Sequence, residues 1–482
     1  MRNRTITIIL FILLIGDVGY SFLQHYHMPL DGDISEVVLP SPGSAYYQVL
    51  QDPFGIGVLV KDTSYANPNR FFAHYSASMY LKHAPLIMQT FVSPVNSIYL
   101  ASAILKTMVQ IIMIYLLALS ISRSGNIFSP GFLLAAVLIT PLFQASGYNS
   151  YMGIIDQSIT YTFFYALPLT LLLLFFMPFY QKWMTQKPIR FNWITRFFLF
   201  IMIIILSFNG PLVPGIVVII CPLILLNLLI KYFTQHREFP FLKRVTLAVK
   251  EIPFDILFFF LLFLCTSLYS LYLGTHNLLN ASYPISLIQK YQRLPLGFYY
   301  QFTEKAGFPL MFLVIAANLI LIRKRFGNTD SRQILIMAKW IGIFSLLYIV
   351  LLPMGGFRIY RPHILRYDTI LPVTIAVIFL FGFTTYFMIR QLSGKLKYLY
   401  IAVITIILLI FTRADEPRFS ENSCEKMAIE VISASSDTSV ELDYDCRIMA
   451  WAKITDPKDS EMNARLMHYW RITSVKRLYY QR

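Results

Sequence analysis

The sequence predicts an all-α polytopic membrane protein, and three observations carry that expectation. Only 14% of the 482 residues are charged and 56% are hydrophobic, with a mean hydropathy of +0.59. A soluble chain carries about 25% charged residues, because it must cover its surface with polar groups. The apolar residues also gather into blocks of about 20, the length that crosses about 30 Å of hydrocarbon as a helix. Finally, most Lys and Arg fall in short segments between those blocks, as in membrane proteins whose basic loops stay in the cytoplasm. That distribution gives the net charge of +16 a topological meaning and sets aside nucleic acid as the partner.

The reading is roughly eleven transmembrane helices, with the N-terminus inside and the C-terminus outside. A transmembrane domain, residues 1–412, carries a large first extracytoplasmic loop at 24–96. A small soluble extracytoplasmic region, 413–482, follows it. Arg2 and Arg4 precede the apolar stretch 5–22. No small-residue cleavage site follows, so this is read as an uncleaved first helix rather than a signal peptide.

The second helix (97–121) returns to Arg123, and the third (about 127–145) leads out to 146–157, which holds no Lys or Arg. The fourth, 159–180, comes back to Lys182, Lys187, Arg190 and Arg196. Helices over about 194–208 and 214–232 flank Asn209-Gly210-Pro211, either a tight outside turn or a re-entrant break. A basic inside loop holds Lys231, Arg237, Lys243, Arg244 and Lys250. Later helices include 254–274, 333–352 and 368–389, with basic clusters at Arg323-Lys324-Arg325 and at Arg390, Lys395 and Lys397. Cys424 and Cys446 lie alone in the tail, where an oxidising compartment would let them pair.

Three extracytoplasmic stretches carry candidate chemistry. The first is Asp31-Gly32-Asp33 with Glu36, just beyond the first helix. Paired carboxylates there can hold a divalent cation (Mg or Mn) through hard oxygen ligands, or one can act as a general base. Against this stands a turn at Asp-Gly and a capping box between Asp33 and Glu36. His25 and His27 nearby make only a weak transition-metal motif, lacking a placed third ligand.

The second stretch, residues 355–368, breaks the charge rule, with Arg358, Arg361 and Arg366 beside Tyr360 in an outside loop. Arg suits bidentate contact with a phosphate, and a snorkelling loop with an Arg366–Asp368 pair is the plainer alternative. The third lies in loop 1, where Asp52, Arg70 and His74 sit among aromatic residues. Such a mixture suits contacts with a sugar or headgroup, and equally an interfacial aromatic belt. Asp17 and Asp156 lie near helix ends and read first as caps. Intramembrane charge is otherwise sparse, which weighs against ion-driven transport.

On these features the plan resembles the GT-C superfamily of polytopic glycosyltransferases. The shared features are a single helix, a sizeable first extracytoplasmic loop opening on an acidic motif, here Asp31-Gly32-Asp33, and about ten more helices. The resemblance implies transfer of a sugar from a polyprenyl-phosphate donor to an extracytoplasmic glycan or lipid acceptor. It assigns base or metal-ligand duty to Asp31 or Asp33, and donor-phosphate contact to Arg358, Arg361 or Arg366. The charge pattern puts the active site on the periplasmic or exterior side, and the cell inner (plasma) membrane of a bacterium is favoured over the endoplasmic reticulum. Asn280-Ala281-Ser282 would be a glycosylation acceptor in a eukaryote. A lipid-linked oligosaccharide flippase and a polysaccharide polymerase or ligase are the alternatives. A flippase would need the arginines but not the paired aspartates.

Overall fold

A computed structural model describes residues 2–44, 46–143, 153–281, 285–357, 361 and 363–482. Among the described residues, nine helices are long and apolar enough to cross a membrane: Arg4–Tyr26, Pro94–Ser122, Ile159–Met184, Leu212–Gln235, Phe254–Thr275, Gly307–Arg325, Thr329–Met354, Tyr367–Gln391 and Gly394–Ala414. Two shorter apolar helices, Pro130–Leu142 and Trp193–Ser207, fall where the third and fifth helices were expected.

Local chemistry sets the starts. Ser93, Ser129, Ser158, Asn192 and Asn328 each accept a backbone N–H from the first turn of the helix that follows. Such caps satisfy donors that have no intrahelical partner. Pro94 and Pro130 sit at first helical positions, where a missing N–H costs nothing.

The Tyr367–Gln391 helix is the centre of the bundle, with 94% of its apolar window buried, whereas the Arg4–Tyr26 helix is 6% buried and peripheral. A methyl group at Gly382 would meet Ile139 at 2.6 Å and Ile121 at 2.8 Å, so a glycine lets these helices approach. Asn318 donates to Thr384 and Thr385 at 3.1 and 3.3 Å and accepts from Tyr400 at 3.0 Å, a satisfied polar knot in the same core.

Alternating helix directions bring loop 1, the turn after Ser207 and the segment after Thr275 together at one end. There Phe72 N–H donates to the Phe208 carbonyl at 3.1 Å and Gly210 N–H to Asn69 at 2.8 Å. Asn67 N–H reaches Asn277 Oδ1 at 3.1 Å. Gly210 has φ +104°, and the short turn that separates its two flanking helices docks on loop 1. The basic clusters sit at the opposite end, with Arg123–Asp330 at 2.8 Å and Arg196–Asp255 at 2.7 Å. The segment read there as a basic loop contains a helix, Phe241–Glu251.

Loop 1 is helical in several pieces: Ile34–Val38, Tyr47–Gln51, Ile56–Lys61 and Phe71–Met88. The tail folds into the helices Ser423–Ala434 and Glu461–Tyr469 with a parallel strand pair, Ser439–Leu442 beside Leu478–Gln481. Cys424 and Cys446 are disulfide-bonded. The tail shares one core with loop 1, in which Ile34, Val38 and Leu81 pack with Ile429, Met467 and Trp470. Trp470 Nε1 donates to the Leu81 carbonyl at 2.8 Å, and Asn422 donates to the Tyr26 and His27 carbonyls at 2.8 and 3.0 Å. The last spanning helix runs to Ala414, and the tail beyond it shares its core with loop 1.

Candidate functional site

Asp31 lies just past the first spanning helix, with 4% of its surface exposed. It accepts four hydrogen bonds: Ser158 Oγ at 2.7 Å, Thr160 N at 3.1 Å, Thr160 Oγ1 at 3.0 Å and Asp33 N at 3.1 Å. Ser158 also caps the helix that Ile159 opens, so Asp31 ties loop 1 to the mouth of that helix. Burial pushes its carboxyl up, Ser158 and the Thr160 amide pull it back, and Asp33 adds to the rise.

Asp33 faces the other way and is half-exposed. It stands at the N-terminus of Ile34–Val38 without making a side-chain cap, so the expected capping box with Glu36 does not form. Its Oδ1 accepts the indole N–H of Trp451 at 3.1 Å. Gly32 makes that contact possible. A methyl group there would sit 2.5 Å from Trp451 N and 2.6 Å from Trp451 Cδ1. Burial, and then Asp33, push the Glu36 carboxyl up.

The Trp451 ring centre is 6.0 Å from that of Tyr161, and the Tyr161 hydroxyl accepts from Arg361. Arg361 Nη1 then meets Asp368 Oδ2 at 3.1 Å. Arg366 grips the same carboxylate, Nε to Oδ1 at 2.9 Å and Nη2 to Oδ2 at 3.0 Å. The expected Arg366–Asp368 pair is thus present, but it is shared by a second guanidinium. Two cations around one buried anion leave one net positive charge, a favourable setting for a phosphate. Arg358 and Tyr360 lie outside the described residues.

Between the acidic motif and the arginines stand two groups the sequence did not single out as chemical. Lys106, a fully buried cation of the Pro94–Ser122 helix, donates to the Gln157 carbonyl. Asp156 accepts Ser158 N at 2.8 Å, a cap-like contact of the kind expected for it. Yet its carboxyl is pushed up to about 6, first by burial, with Lys106 opposing and Asp368 and Asp31 reinforcing. A carboxyl whose neighbours are Lys106, Asp31 and Asp368 sits amid the site. The one available sequence signal was that Asp156 is the only charged residue in 146–157.

The remaining loop 1 candidates divide. Asp52 accepts Ile56 N at 2.7 Å, Gly57 N at 2.8 Å and Tyr65 Oη at 3.0 Å, so it is committed to holding a turn. Arg70 and His74 lie one turn apart against Phe164, the Arg70 guanidinium 4.9 Å and the His74 ring 4.9 Å from the phenyl centre. The Tyr46 ring also packs on His74, its centre 4.9 Å away. Burial, then Arg70, lower the imidazole to about 3. Among the described residues, neither His74 nitrogen nor Arg70 Nε has a hydrogen-bond partner. Tyr165 lies within electrostatic reach of Arg70, Arg361 and Arg366 together, which places Arg70 on the arginine side of the site.

The donor set around Asp31 is composed of N–H and O–H groups, which hold a carboxylate in place and do not complete a cation's shell. Among the described residues no three His, Cys, Asp or Glu side chains form a metal-binding group. His25 turns to Gln110 at 3.3 Å and His27 packs on Tyr26 and Phe419, so neither imidazole joins the aspartates. No protein-family model and no curated protein matches this chain.

Proposed function

We propose that the chain is a membrane-embedded glycosyltransferase of GT-C type, moving a sugar from a polyprenyl-phosphate donor to an extracytoplasmic acceptor. One observation carries the reading: Asp33, Trp451, Tyr161, Arg361 and Asp368 form an unbroken line of contacts. A base and a phosphate-binding guanidinium then stand on one site at the loop 1 end of the bundle. A flippase has no use for the half-exposed carboxylate at the end of that line.

In this mechanism the lipid phosphate rests against Arg361, held by Asp368 and Arg366, with Arg70 flanking. Asp33 takes the proton of the acceptor hydroxyl as its oxygen bonds to the sugar's anomeric carbon. The bond from that carbon to the phosphate oxygen breaks, and its electron pair leaves on the polyprenyl phosphate. Arg361 meets the charge that develops there, in a site fixed before reaction, which is where electrostatic stabilisation is most effective. Asp31 positions the loop, and Asp156 with Lys106 sets the field between base and phosphate. The basic end of the bundle faces the cytoplasm by the charge rule, so the site opens on the periplasm or exterior of a bacterial inner membrane.

The test is purified protein in nanodiscs, offered polyprenyl-phosphate hexoses and pentoses with a membrane-derived glycan acceptor fraction. Asp33→Asn is expected to lower transfer by about 10²–10⁴-fold, the usual worth of a general base. Arg361→Ala is expected to lower it by about 10²–10³-fold. Full transfer by Asp33→Asn, or lipid translocation without sugar release by wild type, would overturn the reading.

A further inference from the structure

Beside Asp33 lies a cleft of about 300 Å³ between loop 1 and the tail, lined among others by Gly32, Glu36, Trp451, Lys453, Asp459 and Asn463. We propose that this cleft is the acceptor subsite and that it takes a neutral, hydroxyl-rich glycan with Trp451 as the stacking platform. The proposal rests on the transferase reading and deepens it by naming the acceptor class and the residues that hold it.

The lining points to a glycan. Trp451 is held in a fixed pose, its N–H spent on Asp33 and its edge laid on Gly32, yet 49% of its surface remains exposed. A large apolar side chain kept rigid and open has not been placed there for burial. Its π-face carries negative charge, which suits the C–H-bearing face of a pyranose or furanose ring. The rim then supplies acceptors for hydroxyl groups. Glu36 and Asp459 are carboxylates, each able to accept from two neighbouring hydroxyls.

The charge balance excludes the obvious competitor. Glu36 and Asp459 face the single cation Lys453, which is itself drawn to Asp445 at 2.5 Å. A negative cleft repels phosphate and anionic headgroups and tolerates a neutral polyol. The volume lies at the small end of ligand pockets, about 300–1,000 Å³, enough for the terminal unit of a chain and too little for a lipid tail.

Position completes the argument. Trp451 stands between the cleft and Tyr161, and Tyr161 leads on to Arg361. A glycan stacked on Trp451 presents its terminal hydroxyl to Asp33 from the side opposite the phosphate. The cleft lies beyond the spanning helices, so its ligand arrives from water.

The experiment uses full-length protein in nanodiscs on a printed array of neutral and anionic glycans, comparing wild type with Trp451→Ala, Trp451→Phe and Glu36→Gln. Wild type is expected to bind a set of neutral glycans, Trp451→Ala to lose at least tenfold of that signal, and Trp451→Phe to keep part of it. The best soluble glycan should quench tryptophan fluorescence in wild type and leave Trp451→Phe unchanged. Binding of no neutral glycan, binding confined to anionic ones, or signal that survives in Trp451→Ala overturns the proposal. Undecaprenyl phosphate binding, measured in parallel on wild type and Arg361→Ala, reads the donor side separately. Glycan binding with no Arg361-dependent lipid-phosphate binding would sink the transferase and leave the glycan subsite standing.

Discussion

Gly32 separates two aspartates that do unlike work. The backbone N of Trp451 would stand 2.5 Å from an added methyl group, and backbone has little room to retreat. Gly32→Ala is expected to push the tail off the acidic motif, costing about 1–3 kcal/mol as overpacking does, and to lower transfer as Trp451 leaves Asp33. Thermal unfolding and transfer rates on the same preparation check both, and wild-type values in each would show that Trp451 does not rest there. The two neighbours should part company as well. In Asp31→Asn an amide NH₂ faces the Ser158, Thr160 and Asp33 donors that now surround a carboxylate. A partner left unsatisfied in a buried site costs about 1–3 kcal/mol. Asp31→Asn is therefore expected to lower the melting temperature, whereas Asp33→Asn, at a half-exposed carboxylate, is expected to lower activity alone. Equal melting temperatures for the two variants would erase the distinction.

The docked helix Ser423–Ala434 carries its own titration. Glu425 is buried and accepts Leu30 N at 2.9 Å, Met449 N at 2.8 Å and Tyr99 Oη at 2.8 Å. Burial dominates these bonds and, with Asp31 adding to the rise, pushes the carboxyl from 4.5 up to about 7. A folded value above the unfolded one means the native state holds the proton more tightly, so stability falls as pH rises between the two. That contribution is full below 4.5 and is lost as pH passes through about 7. Unfolding at about pH 5 and about pH 8 should show the lower melting temperature at the higher pH, with the slope reduced in Glu425→Gln. A slope unchanged by the substitution would assign the dependence elsewhere.

Elements also show what was legible beforehand. Spans such as Tyr367–Gln391 announce themselves by apolar length, whereas the Ser93-Pro94 and Ser129-Pro130 starts were passed over, with those helices expected from 97 and about 127. The short helices of loop 1 did not announce themselves, because a stretch such as Ile34–Val38 is too brief to hold by propensity and is fixed by packing on the tail. The partnership of Asp33 with Trp451 was hidden for the same reason: each residue is ordinary in its own neighbourhood, and only the fold joins them. Arg361 and Arg366 were legible as a breach of the charge rule, while their neutralising partner Asp368 was legible only as the plainer alternative.

For the whole molecule the charge asymmetry between the two ends is the basis of the orientation proposed for the bundle. Lys182, Arg237, Lys250 and Arg323-Lys324-Arg325 lie at the end away from the site. At the site end Arg361 and Arg366 share Asp368, and Lys106 is buried beside Asp156, so the local excess of positive charge is small. The basic residues of the folded tail weigh little, since long translocated segments cross the membrane largely regardless of charge. The Cys424–Cys446 disulfide sits in that tail and fits an oxidising compartment. We propose from this asymmetry that residues 415–482 lie outside and the helix Phe241–Glu251 inside. Alkaline phosphatase fused after Arg482 is expected to be active, because it folds only when exported. Fusions after Lys250 and Arg325 are expected to be inactive, with the reverse pattern for a cytoplasmic fluorescent reporter. Activity after Lys250 together with silence after Arg482 would invert the bundle. The acidic motif, the paired arginines and the Trp451 cleft would then face the cytoplasm, where soluble nucleotide-activated sugars leave no need for a lipid-linked donor.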